Sequence, residues 1–198
     1  MKQQKDYYMK TILTDCDGVL LDWEAAFHGW MAQHGYTLVN PGVYAMDVAY
    51  DIPRAECKRL VTVFNESAWM GFLPALRDAR SGVARLVEHG YRFVCITSLS
   101  LDEKARMLRI SNLKNIFGKD VFADVVCLDT GADKDEALEP YRDSNLWWIE
   151  DKIENAECGH NLGLNTILIA HEHNHKSFSD GITRVSHWSE IADLIIGE

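Results

Sequence analysis

Alternation is the dominant pattern of this chain. Five short runs rich in β-branched and apolar residues recur along it: Thr11–Thr14, Phe93–Thr97, Ala123–Leu128, Leu146–Ile149 and Thr166–Ile169. Amphipathic stretches lie between them. Short buried strands joined by helical crossovers form a parallel sheet, because a parallel neighbour can be reached only by a long return connection. The expected class is therefore α/β. Two of the crossover helices carry their own punctuation. Ser100 opens Ser-Leu-Asp-Glu, a capping-box pattern, and the helix it predicts runs to about Ile116 and stops at Gly118. The segment Ser81–His89 reads as a helix ended by Gly90.

One stretch breaks the alternation. No strand is convincing from Asp22 to Phe72. Trp23, Ala26, Phe27, Trp30 and Met31 fall on one helical face. Asp51-Ile52-Pro53 opens a second helix carrying Leu60, Val61 and Phe64. The expected organisation is a core of residues 1–21 and 73–198 with a small helical insert at 22–72.

Composition excludes some classes. The chain has 198 residues, 47% hydrophobic and 25% charged, which suits a globular domain with a real core. Its formal net charge of −10, without any Lys/Arg cluster, argues against a stable nucleic-acid complex. No apolar run has the length of a membrane span, so no membrane partner is expected. The start, MKQQKDYYMK, has no apolar signal region. The five cysteines include no CxxC pair, which suits reduced thiols and a cytoplasmic location.

The first apolar run ends in Asp15-Cys16-Asp17-Gly18-Val19. Two carboxylates two residues apart, at the end of a buried strand, lie where open α/β sheets bind ligands. One carboxylate can attack phosphorus; the other can protonate a leaving oxygen and later take a proton from water. An acidic turn is the alternative. Three further pieces lie at or just after the ends of later apolar runs. Phe93-Val94-Cys95-Ile96 ends in Thr97-Ser98, whose hydroxyls can bind phosphate or simply make a turn. Lys134 follows the third run and can offset anionic charge, or be a solvated lysine. Trp147-Trp148-Ile149 ends in Glu150-Asp151, a candidate site for a hard cation or a helix N-terminus favouring acids.

In this order, ILTDCDGV, FVCITS, Lys134 and WWIEDKIEN resemble the four motifs of the haloacid dehalogenase superfamily. The resemblance implies a Rossmann-like sheet of strand order 5-4-1-2-3, and a helical cap inserted after the first strand. It implies a magnesium-dependent phosphomonoesterase with Asp15 as nucleophile and Asp17 as acid/base. The metal ligands it implies are Asp15, the Asp17 backbone carbonyl and Asp151, with Glu150 a further candidate. Thr97, Ser98 and Lys134 are the implied phosphate binders. DCDGVLLDWEAAF, SAWMGFLPAL and the later HEHNH and SHW segments are similar to the 5'(3')-deoxyribonucleotidase family, although Glu150-Asp151-Lys152 stands where that family has two aspartates and an arginine.

The substrate this implies is a small phosphorylated molecule, a deoxyribonucleoside monophosphate on the closer resemblance. A sugar phosphate or other metabolite, cleaved by a phosphatase or moved by a phosphomutase, is the alternative. A non-catalytic phospholigand-binding module is a third reading. Trp23 and Trp69 flank the expected mouth of the site, where a nucleobase can stack or where the rings can pack. Phe27 and Trp30 read as core. His171, His173 and His175 alternate as zinc ligands do, but read as a solvated turn.

Overall fold

The computed structural model describes residues 10–197. The segment MKQQKDYYM, in which no secretory signal is expected, lies outside them. Six parallel strands form one sheet: β1 (Thr11–Thr14), β2 (Arg92–Ser98), β3 (Phe122–Leu128), β4 (Trp147–Glu150), β5 (Asn165–Ile169) and β6 (Thr183–Val185). Their order is β3-β2-β1-β4-β5-β6. The five expected strands thus stand in the expected order. A sixth joins β5 at the edge, through Ile167↔Thr183 to Ile169↔Val185. It is only three residues long, too short for periodicity to reveal.

β1 is the topological switch point. The chain winds outward from it to β2 and β3 on one side, then returns to β4, β5 and β6 on the other. Thr14 pairs with Cys95 of β2 and with Ile149 of β4. The residue after it, Asp15, keeps the ladder with its N–H to the Ile149 carbonyl at 2.9 Å. Asp15 therefore projects at the carboxyl edge, in the crevice that such a reversal opens.

Strand alternation divides the core between the two sheet faces. Ile12, Phe93, Cys95, Ile149 and Ile167 face one buried cluster. Leu13, Val94, Ile96 and Trp148 face another. The first cluster takes in α4 (Ala79–Glu88), α5 (Glu103–Phe117) and α8 (Trp188–Ile196); the second takes in α6 (Asp135–Leu138) and α7 (Ile153–Asn161). Gly159 lets α7 lie close on β4, since a Cβ there would sit 2.3 Å from Trp148 Cδ1.

The capping box at Ser100 is corrected. The residue that caps α5 is Asp102, whose carboxylate accepts from Ala105 N at 2.8 Å. Ser100 Oγ donates to Glu66 Oε1 and accepts from Asp102 N, so it is already used by the turn.

Residues 22–72 carry helices only: α1 (Trp23–Gln33), α2 (Met46–Tyr50), α3 (Arg54–Asn65) and a 3-10 turn at Ala68–Gly71. Asp22 caps α1, accepting from Ala25 N at 3.1 Å. Phe27 and Trp30 are buried, as core residues should be, and Phe27 stacks between Trp23 and Trp30. The short helix α2 is an addition that periodicity did not predict. No helix among the described residues is long and apolar enough to cross a membrane. All five cysteines are free.

Candidate active site

The carboxyl edges of β1, β2 and β4 open into a cavity of about 1110 Å³. Asp15, Asp17, Thr97, Ser98, Lys134, Glu150 and Asp151 all border it. Side chains far apart in sequence thus meet because three neighbouring strands end together.

Lys134 lies at the centre. It is 2% exposed, and its Nζ is 2.8 Å from Asp15 Oδ1 and 2.7 Å from Glu150 Oε2. Burial opposes its charge, but Asp15 and Glu150 hold the ammonium well above the ordinary lysine range. Both Glu150 oxygens are engaged. Oε2 takes Lys134, and Oε1 takes Lys152 N at 3.0 Å and Asn155 Nδ2 at 3.4 Å. Glu150 is thereby tied to orienting Lys134.

Asp15 is different. Its Oδ1 contacts Lys134 as an ion pair without a well-aligned hydrogen bond, in a buried setting. Burial lifts its pKa to about 7, with repulsion from Glu150 adding and Lys134 opposing. Burial, then Asp15, lifts Asp151 to about 7 as well. One oxygen each of Asp15, Glu150 and Asp151 lies within 4.8 Å of the others. Crowded, buried carboxylates with incomplete neutralisation are a donor set that suits a hard divalent cation. Asp15 and Asp151 have the free capacity to hold one.

Gly18 makes this approach possible. Its φ is +75°, and a Cβ would fall 2.3 Å from Asp151 Oδ2. Only glycine accepts both the left-handed turn and the contact. Thr97 Oγ1, at the end of β2, is buried with no hydrogen-bond partner. Ser98 Oγ donates to Ala132 O at 2.7 Å, joining β2 to the loop before Lys134.

Sequence reasoning missed two groups here. The first is Arg109, on α5. It is 0% exposed, and its Nη1 and Nη2 donate to Asp17 Oδ1 and Oδ2 at 2.6 and 3.0 Å. Nothing local marks it, since an arginine in an amphipathic helix reads as surface. The second is the histidine loop, where the expected solvated turn is corrected for two residues. His171 and His173 border the cavity, their rings stacked at 5.3 Å. His171 Nε2 donates to Gly18 O at 2.6 Å, and burial lowers both imidazole pKa values. Asn174, 2% exposed, donates to the Asp151 and Ile169 carbonyls at 2.7 and 2.8 Å. The loop therefore braces the turns carrying Gly18 and Asp151. Only His175 of the three is exposed.

Of the two aromatics, Trp23 borders the cavity and Trp69 does not; Trp69 packs against Phe64 instead. Trp23 is held on three sides. It stacks on Phe27 at 4.7 Å, meets Phe64 edge-on, and donates from Nε1 to Asn65 Oδ1 at 2.9 Å.

Among solved structures, a haloacid dehalogenase-like family hydrolase, SP0104 from Streptococcus pneumoniae, superposes with a TM-score of 0.67 over 97% of this chain and 100% of that one, at 12% identity. The fold is that of the haloacid dehalogenases. CbbY from Rhodobacter sphaeroides, in complex with phosphate, shares the haloacid dehalogenase fold at TM-score 0.61 and 18% identity, covering 92% of this chain and 96% of that one. D,D-heptose 1,7-bisphosphate phosphatase from B. bronchiseptica, complexed with magnesium and phosphate, does so at 0.61 and 13%, covering 96% and 99%. No protein-family model matches the chain. A curated relative, an uncharacterized 32.4 kDa protein from the Gp30–rIII intergenic region of Enterobacteria phage T4, is 26% identical over an alignment of 159 residues that covers 76% of this chain. This chain spans 56% of that relative's length.

Proposed function

We propose that this chain is a phosphomonoesterase that works through an aspartyl-phosphate on Asp15. The observation that carries the reading is the Asp15–Lys134 contact of 2.8 Å at the switch point, with Asp17 two residues on and Asp151 across the same cavity. A binding site for phosphate alone has no use for a buried carboxylate at the edge of the cavity that would hold the anion.

Asp15 attacks phosphorus in line, its oxygen–phosphorus bond forming as the ester bond breaks. Lys134 offsets charge on the phosphoryl oxygens, and the unpartnered Thr97 hydroxyl supplies a hydrogen bond to one of them. Ser98 lies beside it. Asp17 passes a proton to the leaving oxygen and then takes one from the water that hydrolyses the acyl phosphate. A magnesium ion, held by Asp15, Asp151 and the Asp17 carbonyl, would supply further charge stabilisation. The helical segment 22–72 serves as a cap that limits water and meets the leaving group.

For that leaving group the finer reading is a nucleoside, as in the deoxyribonucleotidases. Trp23 supports it: its position is fixed by Phe27, Phe64 and Asn65, which suits a stacking platform. A sugar phosphate is the second reading, supported by the polar wall of Thr62, Asn65, Asp129 and Thr130. Phosphate release should be measured from deoxyribonucleoside monophosphates, sugar phosphates and acetyl phosphate, with wild type and Trp23→Ala. Base stacking predicts a loss in Trp23→Ala on nucleotides alone. Equal losses on nucleotides and acetyl phosphate assign Trp23 to packing. Absence of release from any ester by wild type refutes the phosphatase reading.

A further inference from the structure

Arg109 has no part in the reading above, and its setting is unusual. It is 0% exposed and does not border the cavity, so no substrate atom reaches it. It rises from α5, is pressed against Met70 Sδ at 3.4 Å, and ends in a two-point pair with Asp17. Its Nε has no partner. A buried guanidinium without its carboxylate would be an uncompensated charge, so the pair is not readily exchanged. A planar fork also fixes the orientation of the carboxylate it grips, which a single contact does not.

We propose that Arg109 is a positioning residue that fixes the aim of the Asp17 carboxyl group at the reacting atoms. This rests on the phosphatase reading. Two N–H groups donate to the two Asp17 oxygens, so the plane of the guanidinium fixes the plane of the group it grips. Held in this orientation, Asp17 can take a proton from water as the water oxygen bonds to phosphorus and the Asp15–phosphorus bond breaks. Inorganic phosphate leaves and the Asp15 carboxylate is restored.

The experiment is a double-mutant cycle of Arg109→Met and Asp17→Asn, followed with an aryl ester, p-nitrophenyl phosphate. Arg109→Met should lose about 10²-fold in kcat on the aryl ester, at the low end of what positioned proton transfer contributes. KM should stay within about twofold, because no substrate contact is removed. Acid quench should trap more phosphoenzyme than in wild type. Arg109→Lys, which keeps the charge but not the fork, should recover part of the loss. In the Asp17→Asn background neither change at Arg109 should cost further turnover. Multiplying losses, or a loss carried by KM, would overturn the assignment while leaving the phosphatase reading intact. If Arg109→Met does not fold, Arg109→Lys in both backgrounds decides between the same two outcomes. A wild type inactive on every phosphomonoester removes the phosphatase reading and this assignment with it.

Discussion

Replacing Lys134 with methionine tests the electrostatics of the site most directly. The substitution keeps the length of the stem and removes the ammonium between Asp15 and Glu150, contacts of 2.8 and 2.7 Å. Breaking a buried pair costs about 3–5 kcal/mol, because the surviving charges lose their partner. That cost depends on pH. Asp15 titrates at about 7 in the folded chain against an ordinary 3.8, so the folded form holds the extra proton. Stability from this group is fully present below 3.8 and is lost as pH rises through about 7. Lys134 is what opposes the upward shift, so without it the loss is steeper. At pH 5 Asp15 is largely protonated and the substitution should cost less, because only the Glu150 contact is then lost. At pH 8 it should cost about 3 kcal/mol, or roughly 6–12 °C in Tm for a chain of this size. Urea unfolding of both proteins in EDTA, at each pH, measures this. Turnover should fall by about 10²–10³-fold, as when a charge-stabilising donor is removed. A variant as stable as wild type at pH 8, or destabilised equally at both pH values, would refute the reasoning.

Three other outcomes are expected. Asp15→Asn should abolish phosphate release, yet keep or raise Tm at pH 8, since it removes a buried charge facing Glu150; a folded, active Asp15→Asn protein would sink the nucleophile assignment. Magnesium should raise the Tm of chelated protein, and by more at pH 8 than at pH 5, because protons on Asp15 and Asp151 compete with the cation; full activity after exhaustive chelation, or no Tm response at either pH, would contradict the site. Gly18→Ala forces a Cβ to within 2.3 Å of Asp151 Oδ2 at a φ of +75°, so calorimetric titration should show weakened magnesium binding; unchanged affinity would show that Asp151 can move freely.

Residue order alone dictates the elements and where the chemistry sits along them. Apolar runs of strand length, glycines at helix ends and the acids that follow β1 and β4 are local signals, because side-chain period and turn chemistry act within a few residues. Phe27 and Trp30 were legible as core for the same reason. Three-dimensional packing chooses which charges face each other. Arg109 reaches Asp17 across 92 residues, and Lys134 reaches Glu150 across 16, through the packing of helices against neighbouring strands. No periodicity in α5 separates a buried arginine from a solvated one. The histidine loop took its place beside Gly18 only because β5 ends next to β4, and Ser100 Oγ accepts from Asp102 N, leaving the capping of α5 to Asp102. Local propensity specifies elements; long-range register specifies partners, and the partners set the protonation state on which this site depends.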